Sequence, residues 1–153
     1  MKPKLIGITG GIGAGKSTVS TIYKHLGFKV YNSDQRAKEI VSEDSIIKKK
    51  LISFFGNNVY KNGVLDRKFL SDKIFNDKSS LQQINSIIHP AVKKDFNNWV
   101  INNKNEKVLF KESALLFESG AYKELDKIIL IVSDKNLRVS RVLNRDQKRS
   151  KKE

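Results

Sequence analysis

Near the start of the chain stands the run GITGGIGAGKST, Gly7 to Thr18, and no other feature restricts the fold so tightly. Gly10 to Ser17 fits the pattern G-x-x-x-x-G-K-S. The apolar run KLIGIT (Lys4 to Thr9) precedes it. KSTVSTIYKHLG (Lys16 to Gly27) follows, with Val19, Ile22, Tyr23 and Leu26 at helical spacing and Gly27 as a stop. Strand, glycine loop and helix, in that order, is the context in which this pattern holds phosphate. The glycines let successive N–H groups turn onto phosphate oxygens, and the helix N-terminus adds its positive end. Gly11, Ile12, Gly13, Ala14, Gly15, Lys16, Ser17 and Thr18 are therefore the expected phosphate ligands, with Lys16 on the outer phosphates and Ser17 on Mg2+. A dinucleotide fingerprint is excluded, because G-x-G-x-x-G would need glycine at Lys16.

Phosphate binding alone does not separate switch, motor and kinase. A guanine-nucleotide switch would also carry D-x-x-G and N-K-x-D. No aspartate here is followed three residues later by glycine, and NKNE (Asn103 to Glu106) ends in Glu and precedes a strand. FKVYN (Phe28 to Asn32), KVLFKE (Lys107 to Glu112) and KIILIVS (Lys127 to Ser133) read as further strands of a parallel sheet covered on both faces. Between them, Asp44 to about Asn105 is helical in pattern, broken by a turn at Asn62-Gly63. Leu81, Ile84, Ile87 and Ile88 share one face before His89-Pro90; Val92, Phe96, Trp99 and Val100 share another after it.

Asp34 follows the second strand, where the carboxyl ends of neighbouring strands open onto one crevice. It reads equally as a base for an attacking hydroxyl or as a helix cap. Glu112, ending the third core strand, reads as a residue that orients Mg2+ through water or as a surface charge. Arg141 and Arg145 lie four apart on the polar face of the last helix, within reach of a polyphosphate. Arg138 and Lys148 are expected on a solvated face, and His89 is expected to pack or to cap a turn.

The chain holds 153 residues, enough for one domain, with no cysteine, which suits a reducing cytosol. Its longest apolar run, IILIV (Ile128 to Val132), is far short of a membrane span, and glycines interrupt the apolar stretch after the basic start. A soluble, cytoplasmic chain with no membrane partner is expected. The net charge of +14 suits either a nucleic-acid binder or a protein handling small polyanions. No nucleic-acid motif appears and the lysines are scattered, so no nucleic-acid partner is expected.

Taken together, GITGGIGAGKSTV, VYNSDQRAKEIV, FFGNNVYKNGVLDRKFLSDKIF, LQQINSIIHPAV, ESALLFESG and RVSRVLNRD resemble, in order and over nearly the whole chain, the dephospho-CoA kinase family. The resemblance implies an α/β fold of the P-loop NTPase type. That fold has three layers with a parallel sheet (core about 1–43 and 106–135), a helical substrate-binding insertion (about 44–105) and a lid helix (about 136–153). It implies ATP and dephospho-CoA as substrates and Mg2+ as cofactor. Lys16, Asp34, Arg141 and Arg145 would be catalytic, and Asp34, His89, Leu115, Phe117 and Glu118 would line the acceptor pocket. A nucleoside monophosphate kinase is the nearest rival, and a basic nucleic-acid-binding protein the more distant one. The chain departs from the family pattern at Asn32, where the first aspartate of Asp-x-Asp usually stands, and in ESALLFE (Glu112 to Glu118), where the family often has an aspartate and a proline before Leu-Leu-Phe-Glu. It ends at Glu153 inside the lid segment, which reads as a truncated chain.

Overall fold

The computed structural model describes residues 2–145. The chain forms two compact units, one of Met1–Asn32 and Trp99–Glu153, the other of Ser33–Asn98. The boundary drawn from the sequence at 43/44 falls one helix later than this division, since the helix after the second strand groups with the insertion.

The first unit is built on four parallel strands, β1 (Lys4–Thr9), β2 (Lys29–Asn32), β5 (Val108–Glu112) and β6 (Lys127–Leu130), in the order β2-β5-β1-β6. Leu5, Ile8, Leu109 and Phe110 are buried, as expected for inner parallel strands. The strand expected over Lys127 to Ser133 is shorter and is not covered on both faces: β6 pairs only with β1, and Leu130 is 60% exposed. Its last ladder bond runs from Ile131 N–H to the Thr9 carbonyl (2.7 Å), and a Cβ on Gly10 would lie 2.3 Å from the Ile131 carbonyl. Helix α1 (Lys16–His25) is held to the sheet by aromatic packing. The Tyr23 ring stacks on Phe110 at 4.2 Å, and Phe28 meets both rings edge-on. Helix α6 (Lys135–Arg145) closes the unit, capped by Asp134, which accepts from Asn136 N–H at 2.8 Å.

The second unit contains α2 (Ser33–Glu43), α3 (Ser45–Phe55), the hairpin β3 (Tyr60–Lys61) and β4 (Val64–Leu65) closed by Asn62-Gly63, α4 (Arg67–Asn76) and most of α5 (Lys78–Asn102). Its core is Ile40, Val41, Ile47, Leu51, Val59, Leu70, Ile84 and Ile87. Asp44, Asp66 and Asp77 each precede a helix and accept from its first-turn N–H groups. Asp77 also accepts from the Ser79 and Ser80 hydroxyls, and these donors lower its pKa to about 2. The two apolar faces on either side of His89-Pro90 belong to one continuous helix. Pro90 and Ser86, whose carbonyl the proline leaves without its helical donor, are both exposed residues.

Leu51 is fully buried at the centre of the second core, so Leu51→Ala removes apolar contact and leaves a cavity. We expect a loss of about 2–5 kcal/mol, read as a lower midpoint in urea unfolding; an unchanged midpoint would contradict this core.

Candidate phosphate-binding site

The loop between β1 and α1 ends in Gly15, the N-cap of α1, with φ 103° and no side-chain cap. The first turn also carries no acidic residue, so its N–H groups remain available to an anion. Lys16 Nζ lies along the same loop, donating to the Gly10 carbonyl at 2.7 Å and to the Gly11 carbonyl at 3.3 Å. Ser17 and Thr18 are exposed at the helix start, while Ala14 is buried and bonds back to the Gly11 carbonyl at 3.1 Å, closing the loop into a turn. Gly7, beneath the loop on β1, has no room for a side chain: a Cβ there would lie 2.7 Å from Leu125 Cδ1 and 2.8 Å from Leu116 Cδ2.

Strand β5 lies beside β1, with Glu112 opposite Ile8 and the Ser113 N–H on the Ile8 carbonyl at 3.0 Å. Glu112 is only 6% exposed, which removes the surface-charge reading. Its Oε2 accepts from Asn32 Nδ2 at 3.1 Å, and the two residues are register partners at the ends of β5 and β2. An amide at position 32 supplies a donor; a carboxylate there would set like charges side by side. The oxygens of Ser17 and Glu112 are of the hard type Mg2+ selects. That ion binds through one or two protein oxygens, substrate phosphates and water, without a dedicated cage. No group of three or more His, Cys, Asp or Glu able to hold a metal occurs among the described residues.

Helix α6 brings two guanidinium groups onto the loop. Arg141 Nη1 donates to the Gly13 carbonyl at 3.3 Å, as its expected reach requires. Arg138 does not lie on a solvated face: its Nε donates to the Ile12 carbonyl at 3.1 Å. It meets the same loop as Arg141, three residues farther along α6. Arg145 is exposed one turn farther on, and Lys148 lies outside the described residues.

The expected acceptor residues divide between the units. In the first, Leu116 is fully buried and anchors the turn after β5, leaving Leu115, Phe117 and Glu118 exposed. In the second, α2 starts at Ser33, so Asp34 is an exposed residue inside the first helical turn and not the N-cap. His89 is half-buried in α5, and burial lowers its pKa. Sequence reasoning passed over Arg36, which forks onto Asp95 (Nε to Oδ2 3.0 Å, Nη2 to Oδ1 2.7 Å) and also bonds Glu39. Only the i,i+3 spacing of Arg36 and Glu39 signalled it; Asp95 is far away in the chain.

An uncapped helix behind a glycine loop, one lysine along it and two arginines over it define the site of a phosphate-loop nucleotide-binding protein. The dephospho-CoA kinase family model matches residues 4–153. The chain is 43% identical over 148 residues to the dephospho-CoA kinase of Fusobacterium nucleatum, covering 96% of this chain and 76% of that protein. It is 40% identical to that of Bacteroides fragilis, covering 92% and 69% respectively. Among solved structures, the crystal structure of TT1252 from Thermus thermophilus superposes with a TM-score of 0.83 at 29% identity, covering 97% of this chain and 75% of that one. The dephospho-CoA kinase from Campylobacter jejuni superposes at 0.69 with 36% identity, covering 95% and 74%. The chain belongs to the dephospho-CoA kinase family.

Lys16 packs along its own loop and away from any apolar core, so Lys16→Ala should abolish phosphoryl transfer with the melting temperature unchanged. Turnover at the normal rate in the purified variant would refute the loop assignment.

Proposed function

We propose that the chain carries out its family's reaction, transfer of the ATP γ-phosphoryl group to the ribose 3'-hydroxyl of dephospho-CoA, giving coenzyme A and ADP. The observation that carries this reading is the uncapped N-terminus of α1, with Lys16 and Arg141 at the same loop. Amides of Gly11 to Thr18 bind the phosphates, and Lys16 turns from its loop carbonyls to the outer phosphates. Ser17, with Glu112 fixed by Asn32, would hold Mg2+, which would offset charge on the phosphates. Asp34 accepts the proton of the attacking hydroxyl as the bond to phosphorus forms. Arg141 and Arg145 neutralise charge on the group in transit, and His89, Leu115, Phe117 and Glu118 hold the acceptor.

Both substrates are polyanions, which gives part of the +14 charge a use. No helix among the described residues is long and apolar enough to cross a membrane. A cysteine-free sequence accords with the cytosol. The test of the whole reading is ADP release measured across a panel of acceptors, with dephospho-CoA the expected best substrate. A nucleoside monophosphate turned over faster would favour the rival kinase class.

Asp34→Asn should lower turnover by about 10² to 10⁴, the usual worth of a positioned base, with little change in melting temperature. Asn serves a helix start nearly as well as Asp, so near-normal turnover would reduce Asp34 to a helix-terminus role.

Arg141→Ala and Arg145→Ala should reduce turnover far more than they weaken acceptor binding, by up to roughly 10³ to 10⁵. Lysine at either position keeps the charge but loses the forked donors and should recover little. Steady-state kinetics with both substrates varied read this; recovery by lysine would mean that bulk positive charge is enough.

A further inference from the structure

The described residues outside the proposed chemistry offer few clusters of reactive groups, but one contact in the first unit has a use that charge alone does not explain. The segment from Ile131 to Arg141 follows the phosphate loop closely. The Ile131 carbonyl lies 2.3 Å from where a Cβ on Gly10 would stand, and Ser133 Oγ donates to the Ala14 carbonyl at 3.4 Å. Arg138 comes close to two of the loop glycines. Its guanidinium Nη2 lies 2.8 Å from a would-be Cβ on Gly11, and its backbone carbonyl lies 2.5 Å from a would-be Cβ on Gly13. Gly13 has φ +74°, so both its conformation and its closeness to α6 exclude a side chain. Arg138 thus sits across two loop glycines while its Nε holds the Ile12 carbonyl between them at 3.1 Å.

In a trans peptide the C=O of one residue and the N–H of the next point in opposite directions. The described chain has no cis peptide, so an Ile12 carbonyl held toward α6 turns the Gly13 N–H away from α6, toward the inner side of the loop. We propose that Arg138 is a positioning residue: its Nε, by fixing the Ile12–Gly13 peptide, pre-orients the Gly13 N–H for a nucleotide phosphate. The inference deepens the phosphate-loop reading of the site and does not depend on which acceptor is phosphorylated. The active element is the Nε–H of the guanidinium, a donor at one fixed distance along the side chain, and the proposal rests on where that donor stands.

That distinction sets the test. In glutamine, Nε2 is separated from Cα by the same number of bonds as Nε of arginine, so Arg138→Gln keeps a donor at that place and loses the charge. Arg138→Lys keeps the charge and puts a methylene where the donor was. ATP affinity is measured by calorimetry without acceptor, alongside KM for ATP and kcat with dephospho-CoA. We expect Arg138→Ala and Arg138→Lys to bind ATP about three- to tenfold more weakly, the worth of one hydrogen bond, with KM for ATP raised in step and kcat little changed. Arg138→Gln should stay within about twofold of the unaltered chain. Recovery by lysine with none by glutamine would overturn the proposal in favour of a charge effect, and equal affinity in all three variants would overturn it outright. Because ATP binding is read without acceptor, failure to phosphorylate dephospho-CoA would count against the proposed reaction and leave this result standing; an unaltered chain with no affinity for ATP would overturn both.

Discussion

The N–H groups that open α1 are the constraint on which the rest of the first unit depends. A helix start with neither a side-chain cap nor an acidic first turn is left with unpaired donors, and other helices of this chain avoid that state through Asp44, Asp66 and Asp77. At α1 the donors are kept open and the loop before them is shaped from behind instead. Beneath it, Gly7 admits Leu116 and Leu125; beside it, Ile131 and Ser133 touch Gly10 and Ala14; above it lie Arg138 and Arg141. Ser133, Arg138 and Arg141 engage loop carbonyls, which leaves the amide side for a ligand.

This explains which parts could be read in advance. The glycine loop, the four core strands and the Asn62-Gly63 hairpin depend on residues close in sequence, so pattern and spacing were enough to locate them. What stayed hidden depends on residues distant in the chain. Asn32 reaches Glu112, Arg36 reaches Asp95, and Arg138 reaches Ile12, and in each case one partner gives no local sign of the other. The β6 reading failed for a related reason. An apolar run such as Ile128 to Val132 has the same composition at a sheet edge as at its centre, and only the pairing order decides how much of it water reaches. Proline likewise signals a helix end, yet Pro90 lies inside α5, at an exposed position.

The site residues were legible to different depths. Lys16 and Arg141 donate to loop carbonyls, and Arg138, expected on a solvated face, does so too. A side chain expected in solvent is diverted where a neighbour approaches. Here the neighbour is a glycine loop, whose missing side chains let the helix come close enough for its backbone to touch Gly13. The same absence of side chains that opens the loop to phosphate on one side therefore opens it to α6 on the other.

Glu112 brings the two ends of this logic together. A buried carboxylate needs donors, and in this chain the donor is the amide of Asn32 on the neighbouring strand, in register with it. The family pattern usually has an acid at that position, which would offer Glu112 repulsion where the amide offers a bond. The hydrogen bond ties the carboxyl ends of β2 and β5 together next to β1, and it holds the Glu112 carboxylate in one orientation. A carboxylate with one oxygen taken by an amide still has lone pairs to present, so the bond limits its direction without using up its capacity. In a sheet whose strand ends all open toward the loop, the direction of that one buried acid is set by pairing between strands and not by the loop itself.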